Sequence, residues 1–554
     1  MRILTASDHA LLVETADLAE AMRRGPAWAR VPGVVELVPG ARSVLVRFDP
    51  LQVSAGELAA ALVETTADAA DLRPAGPATI PVRYDGEDLH SVAALLGVSV
   101  DEVVSRHLGA GWQVAFSGFA PGFGYLVGDD PLFDVPRRPS PRTRVPAGAV
   151  ALAGAFTGVY PRESPGGWQL IGRTDAVMWD IDREPPALLS PGTRVRFVRE
   201  SREVLDAARE PWPAATGFAD PGPQAPETPA AVEQWSDRAA GGRTGLPGSA
   251  PPIVSTGSRI QDAAIDVVHA GLQLLVQDLG RAGHAALGVS ASGAADRTAL
   301  RDANRAVGND RGAAVLENVG GTALRMRGGA VLAVTGAIGE LVVVDAAGAE
   351  RVVSHGIPFA MADGEELELA PPTHGLRYTI AVRGGVAAPL VLGSRATDTL
   401  ADLGPAPLVA GDVIGIGAAT GLAVDPSPLP RPLPASGDLV ELDITLGPRD
   451  DWFTPQALHA LIHQEWTVTP RSDRVGIRLH GEVALARAVE GELPSEGAVT
   501  GAIQVPADGQ PVLFLPDHPL TGGYPIIGAL AAGALDLAGQ LAPGVRIRFR
   551  AARR

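Results

Sequence analysis

The sequence predicts a mainly β protein with some α+β content: about three related barrel-like units behind a small N-terminal α+β module. Three observations predict it. First, 66 glycines and 48 prolines stand among 554 residues. This is about a fifth of the chain, too frequent a punctuation for long helices yet below the ~25–30% typical of low complexity. Second, hydrophobic residues make up 46% and charged residues 20%, enough apolar material for several cores at ~100–200 residues per domain. Third, the chain repeats itself. GAV (148–150), PGGWQLIGRT (165–174) and LLSPGTRVRFV (188–198) are followed in the same order by GAV (497–499), TGGYPIIGAL (521–530) and QLAPGVRIRFR (540–550). A weaker version of the ending, PLVAGDVIGIG, stands at 407–417. Each ending puts a turn before a strand, and matching units of this kind commonly pack with pseudo-symmetry.

The elements follow in order. Residues 1–77 form the α+β module. ALLVET (10–15) and SVLVRFD (43–49) read as strands, and LAEAMRR (18–24) and SAGELAAALVET (54–65) as helices, the second opened by Ser54 with Glu57 three residues on. Residues 78–200 read as strand and turn throughout, a first barrel or sandwich-like unit. Residues 201–262 are dense in Pro, Gly, Ala and polar residues, without apolar periodicity, and read as a flexible linker. Residues 263–423 form a second unit. VDPSPLPRPLPASG (424–437) is a Pro-rich, semi-rigid linker, and 438–554 the third unit. VLAVTGAIGELVVV (331–344) is too short to span a bilayer and contains Glu340. With no membrane segment and no signal peptide read at the start, the expectation is a cytoplasmic protein without a membrane partner.

Composition excludes much chemistry. Lys and Arg total 46, and all 46 are arginine; cysteine is absent. That removes disulfides, thiolate nucleophiles and Cys-based metal sites. It also removes Schiff bases, the phosphate-loop lysine and any lysine that could carry covalent biotin. A base must be Asp, Glu, His, Tyr or a hydroxyl held by one of them, because arginine is too basic to accept a proton. A net charge of −17 argues against a nucleic-acid partner.

The first half resembles the B-subunit family of 5-oxoprolinase, also called Kip I or allophanate hydrolase subunit 1. The resemblance lies in VVELVPGARSVLVRFDP (34–50), SGFAPGFGYL (117–126), PRRPSPRTRVPAGAVALAG (136–154) and ESPGGWQLIGRT (163–174). The second half resembles the C-subunit family, Kip A or allophanate hydrolase subunit 2. Here it lies in QDLGRAGHAALGVSASGAADR (277–297), ANRAVGND (303–310), LGSRATD (392–398), GPRDDWFTP (447–455), SEGAVTGAIQVPADGQP (495–511) and TGGYPIIG (521–528). The fused pair also resembles the carboxyltransferase part of urea carboxylase. The resemblance implies cyclophilin-like β-barrels and joint action of the two halves. It implies ATP-dependent opening of 5-oxoproline to glutamate, with ATP and Mg²⁺ as co-substrate, a separate partner resembling the A subunit of 5-oxoprolinase, and a small amide substrate. A second copy of the chain is a further candidate partner. The alternatives it carries are biotin-dependent carboxyl transfer and regulation of a sensor histidine kinase. The amidase that hydrolyses allophanate uses a Ser–Ser–Lys arrangement, which a lysine-free chain cannot supply. Two departures stand out. Ile526 occupies a position where relatives often place a cation, and Pro519-Leu520 replace a Gln and a small polar residue.

Candidate site residues fall into groups. Asp278, Arg281, Asp296 and Arg297 pair carboxylate with arginine at short range; Arg would fork an anion and Asp orient or deprotonate. The structural alternative is a set of turn-fixing ion pairs. Ser292 lies beside them in GVSASG, a string that is not a nucleophile elbow, and is read as a hydrogen-bonding residue. Glu163, Gly166, Gly167 and Gln169 form a second group and Thr521, Gly522, Gly523 and Tyr524 its repeat; paired glycines let backbone N–H groups reach an oxyanion, the structural alternative being tight barrel turns with Trp168 packed in the core. Arg142, beside Arg144, could meet a carboxylate or phosphate. Glu317 and Gln504 could contact an amide. Asp278, Asp296, Glu163 and Glu317 are the catalytic candidates and the others substrate-binding. The Gly/aromatic loop Gly118–Tyr125 reads as packing. His459 and His463, four apart on a helix capped by Thr454, lack a third ligand, so no metal site is expected.

Overall fold

In the N-terminal module the strand sequences are nearly unbroken apolar runs because the sheet is covered on both faces. Its four antiparallel strands lie in the order Arg2–Ser7, Ala10–Glu14, Ser43–Phe48, Val34–Pro39. Alternate residues point to opposite sides. Leu11, Val13, Val44, Val46 and Phe48 bury against helices Leu18–Trp28 and Ala55–Glu64. Ala10, Leu12, Val38 and Leu45 pack against the second half of the chain. Ser54 and Glu57 form the expected capping box of the second helix. The computed structural model describes residues 1–66, 76–138, 140–200, 263–425, 431–491 and 493–551. The linker expected at 201–262 lies outside the described residues, as do 426–430 of the Pro-rich segment.

Residues 78–199 form a seven-stranded sheet curled into a barrel, with Ala78–Val82 parallel to Arg194–Arg199. Backbone hydrogen bonds between Arg83 and Arg173 join its two edges. This stretch is not strand and turn throughout. Helices Leu89–Leu96 and Val100–Gly109 interrupt it. Gly97 stops the first in the left-handed conformation that glycine adopts cheaply. Ser99 caps the second by accepting from the Glu102 N–H. Leu89, Val92, Val103 and Val104 join the barrel core. The helical period was present, but each helix is too short for it to outweigh the surrounding turn residues.

Residues 264–416 form a seven-stranded and a five-stranded sheet around a shared core. Residues 439–551 close into a seven-stranded barrel, again with a parallel pair, Leu439–Leu446 beside Arg546–Ala551. The fold is therefore mainly β, with barrel units and a small α+β module.

The repeat runs deeper than the strings that reveal it. Trp112 and Trp466, both buried, each follow a helix and each donate the indole N–H to a carbonyl five residues back, His107 and Leu461. A glycine lies flat against each ring: a Cβ on Gly128 would stand 2.7 Å from Trp112 and one on Gly481 2.6 Å from Trp466. The GAV strings are not equivalent, however. Ala149–Ala153 pairs with Gln169–Arg173, and the matching pair in the last barrel is Ala502–Gln504 with Ile526–Leu530. The second GAV lies one segment earlier, where Glu496–Gly497 pairs with Thr521–Gly522. Among the described residues no helix is long and apolar enough to cross a membrane.

Candidate functional site

Three parts of the chain meet around a cavity of about 260 Å³. The N-terminal sheet supplies His9, Glu36, Val38 and Arg47. Arg47 follows Leu45 by two, so strand alternation aims it away from the helices and toward the second half. A β-bulge between Val34 and Glu36 sets Glu36 opposite Arg47. Glu36 Oε2 then accepts from Arg47 Nη1 at 2.6 Å, and Oε1 accepts the N–H groups of Gly283 and Ala285 at 3.1 and 3.2 Å. One carboxylate thus fixes the guanidinium and ties the module to the second half.

The opposite wall is the start of helix Arg297–Val307. Its inner face, Ala299, Leu300, Ala303, Asn304, Ala306 and Val307, is buried. Arg297 and Arg301, one turn apart, line the cavity. Two carboxylates cap this helix. Asp296 accepts from the Ala299 N–H at 2.9 Å, and Asp536, from the last barrel, accepts from the Arg297 and Thr298 N–H groups at 2.9 and 3.1 Å. Among the described residues the Arg297 guanidinium has no hydrogen-bond or ion-pair partner. Burial, and then the charge of Arg47, lower its pKa, with Asp536 opposing and Arg301 adding to the lowering. Three like charges held this close to a cavity are arranged for an anion. The remaining wall is apolar: Val38, Ala498, Val499 and Leu520 belong to one buried cluster with Ile526. Ile526 therefore packs beneath the cavity, and the cations come from other segments.

Behind the cavity lies a buried ionic network. Arg474, fully buried, pairs with Asp517 at 3.0 Å and with Glu317, and donates to the Gly293 carbonyl at 2.6 Å. Ser292, in a left-handed conformation at φ 51°, donates to Asp517 at 2.6 Å. Asp517 also accepts from the N–H and hydroxyl of Thr399. The network joins the two units of the second half, and Arg474 holds Asp517 below the ordinary carboxylate range against the effect of burial.

Of the residues expected from sequence, Arg297 lines the cavity, and Ser292 and Asp296 are sequence neighbours of lining residues. Their carboxylate companions are engaged elsewhere. Asp278 accepts from the N–H groups of Gly280 and Arg395 and from the Ser394 hydroxyl, pinning a turn. Arg281 is buried and donates to the carbonyls of Val391 and Ala396. Asp296 binds Arg431 and Gln540 besides capping its helix. Glu317 accepts from the Ala295 N–H and from Arg474. Asp296 accepts four hydrogen bonds, Asp278 three and Glu317 two, so each of the three carboxylates holds neighbouring segments in place.

The two Gly-Gly turns do not line the cavity. Both instead flank the segment 136–138. Arg138 N–H donates to the Gly167 carbonyl, and Gln169 Nε2 to that of Pro136. Gly523 leaves room for Arg137, whose guanidinium reaches Ser495. Gly166 lies against the Tyr160 ring, and Gly522 against Gln504, which donates to the Tyr524 carbonyl. Thr521 accepts from the Phe119 N–H, so the Gly/aromatic loop presses on the last barrel. Arg142 binds Asp88 at 2.9 Å, Glu163 pairs with exposed Arg144 at 2.5 Å, and Tyr524 is 40% exposed beneath Arg487. His459 and His463 stack on an exposed helix face.

Sequence reading missed Arg47, Glu36, Arg301, His9 and His518. Arg301 carried a signal, one turn after Arg297. Arg47 carried another, a charge inside an otherwise apolar strand. The histidines carried none, because their place depends on how three distant segments dock.

Comparisons with known proteins agree with this architecture. Residues 1–189 match the family model "Carboxyltransferase domain, subdomain C and D", and residues 287–551 match "Carboxyltransferase domain, subdomain A and B". The B subunit of 5-oxoprolinase from Escherichia coli O157:H7 is 40% identical over 178 residues, 31% of this chain and 82% of that protein. The C subunit of 5-oxoprolinase from Escherichia coli K12 is 33% identical over 289 residues, 51% of this chain and 90% of that protein. The crystal structure of TTHA0988 superposes with a TM-score of 0.78 at 33% identity, covering 98% of this chain and 99% of that one. The chain therefore belongs to the B- and C-subunit families of 5-oxoprolinase, carrying one member of each in a single polypeptide built on carboxyltransferase-type domains.

Proposed function

We propose that this protein supplies the B and C components of an ATP-dependent 5-oxoprolinase and works in the cytoplasm with a separate protein of the A type. The observation that carries the reading is the cavity where the B-like and C-like halves meet, lined by Arg47, Arg297 and Arg301. 5-Oxoproline is a small carboxylate on a compact lactam ring. Arg297 and Arg301 would fork the carboxylate. Arg47, oriented by Glu36, would add charge from the other side, and the ring would rest on Val499 and Leu520. A lactam carbonyl is a poor electrophile. When bound, ATP supplies a phosphoryl group that turns the lactam oxygen into a leaving group. Guanidinium groups suit the anionic oxygens this creates. Among the described residues no group of three or more His, Asp or Glu side chains is placed to hold a metal ion.

The test is glutamate release from 5-oxoproline and ATP by the purified chain, with and without an A-type partner. Release that needs ATP supports the reading; none under any partner condition sinks it. The descriptions of both matched family models favour a second reading, carboxyl transfer. Since the chain has no lysine, biotin would arrive on another protein, and carboxyl uptake from free carboxybiotin would select that reading.

A further inference from the structure

The cavity holds two imidazoles with different partners. His9 Nδ1 lies 2.6 Å from Asp8 Oδ1. His518 is buried, stacks on Phe514 at 5.5 Å, and has Nδ1 2.9 Å from the Pro519 carbonyl. A carbonyl oxygen only accepts, so Nδ1 carries the hydrogen, and the neutral ring is left with Nε2 as a bare acceptor. Among the described residues Nε2 has no hydrogen-bond partner. The carboxylates that line the cavity, Glu36 and Asp536, are already engaged by Arg47 and by backbone N–H groups. Nε2 is thus the one lone pair that His518 can offer to a ligand there.

We infer that His518 Nε2 accepts the amide N–H of a ligand whose anionic group is held by Arg297 and Arg301, so that this cavity selects small molecules carrying both a carboxylate and an N–H. The inference rests on the reading of the cavity as the 5-oxoproline site and adds how the lactam is oriented within it. With the N–H directed at His518 and the carboxylate at the arginines, the ring has two fixed points and its carbonyl a single direction. Burial supports the neutral ring, pushing the His518 pKa down to about 4, with the nearby Arg47 charge also lowering it. The ring is therefore an acceptor across the physiological range. It positions the ligand and is too weak a base to take a proton fully.

The test compares 5-oxoproline with its ring-oxygen analogue, 5-oxotetrahydrofuran-2-carboxylate, by titration calorimetry on the full chain without ATP. The two differ only in N–H against O, and the analogue sets a lone pair against Nε2. The wild type should bind the lactam at least ~10-fold more tightly, as expected where a buried acceptor is left unpaired. In His518→Phe the preference should shrink to within ~3-fold, with the lactone affinity little changed. His518→Asn, whose side-chain oxygen can still accept, should retain part of the preference. Equal binding of both compounds to the wild type overturns the inference and leaves the anion site standing. So does a preference that persists undiminished in His518→Phe. Failure of both compounds to bind overturns the inference together with the reading it rests on. The wild-type comparison needs no variant, so a poorly folding His518→Phe does not remove the test.

Discussion

Replacing Arg297 by Met should stabilise the unliganded protein and weaken its response to 5-oxoproline. The guanidinium is half-buried, without a partner among the described residues, and close to Arg47 and Arg301. Leaving a charge partly desolvated among like charges costs about 1–2 kcal/mol, discounted here for its partial exposure. Methionine keeps much of the stem volume and removes that cost. At roughly 2–4 °C per kcal/mol for a unit of this size, the unfolding midpoint should rise by about 2–8 °C. Ligand at 100 times its Kd adds about 2.7 kcal/mol to the wild type, a further rise of about 5–11 °C by the same conversion. Losing a charge-assisted hydrogen bond costs about 1.5–3 kcal/mol, so affinity should fall by about 10- to 100-fold and the ligand-induced rise at the same concentration should shrink to between about a half and about a seventh. The assay is thermal unfolding with and without 5-oxoproline, using Arg478→Met, at an exposed strand position, as a control expected to change little. A variant that is less stable than wild type, or that keeps the full ligand-induced rise, refutes the reasoning. The first outcome would mean that Arg297 is a structural residue, and the second that the anion binds elsewhere.

Arg474→Met removes one partner from two buried carboxylates, Asp517 and Glu317. Breaking such a network costs about 3–5 kcal/mol, so the midpoint should drop by about 6–20 °C; a drop under about 2 °C would show that the network contributes little. Asp398 is buried and accepts from Ser290, Leu400 and Ala401. Burial first, then the Asp517 charge, raise its pKa to about 6, with Arg281 opposing. Because the folded value lies above the ordinary one, the stability tied to that proton is full below about pH 4 and lost as pH rises through about 6. Asp398→Asn should flatten this decline in urea unfolding measured from pH 4 to 7, and an unchanged slope would assign the titration elsewhere. Finally, cutting the chain within 201–262 should leave the two parts bound. The shared apolar cluster, the Glu36 hydrogen bonds and the Arg449–Glu14 ion pair hold them together without the linker. Separate elution on size-exclusion chromatography would contradict that.

The sequence by itself determined the β-rich class, the capping box at Ser54, the barrel repeat and the family. These depend on neighbours in the chain: a period of two, a cap three residues from its partner, turns at regular spacing. It also excluded lysine and thiolate chemistry outright, since a residue type that is absent cannot be restored by folding. It named candidate carboxylates without their partners. Asp278 and Asp296 stand beside arginines in the sequence and Glu317 stands in a family motif, and only the fold reveals the backbone N–H groups 2.6–2.9 Å away that they accept from. Likewise Arg47 and Arg297 are 250 residues apart, and no local pattern relates them. Their meeting depends on a strand alternation that turns Arg47 outward, a bulge that brings Glu36 opposite it, and an apolar face through which the first module docks on the last barrel. The site is a property of that docking, which is why it became visible only in three dimensions.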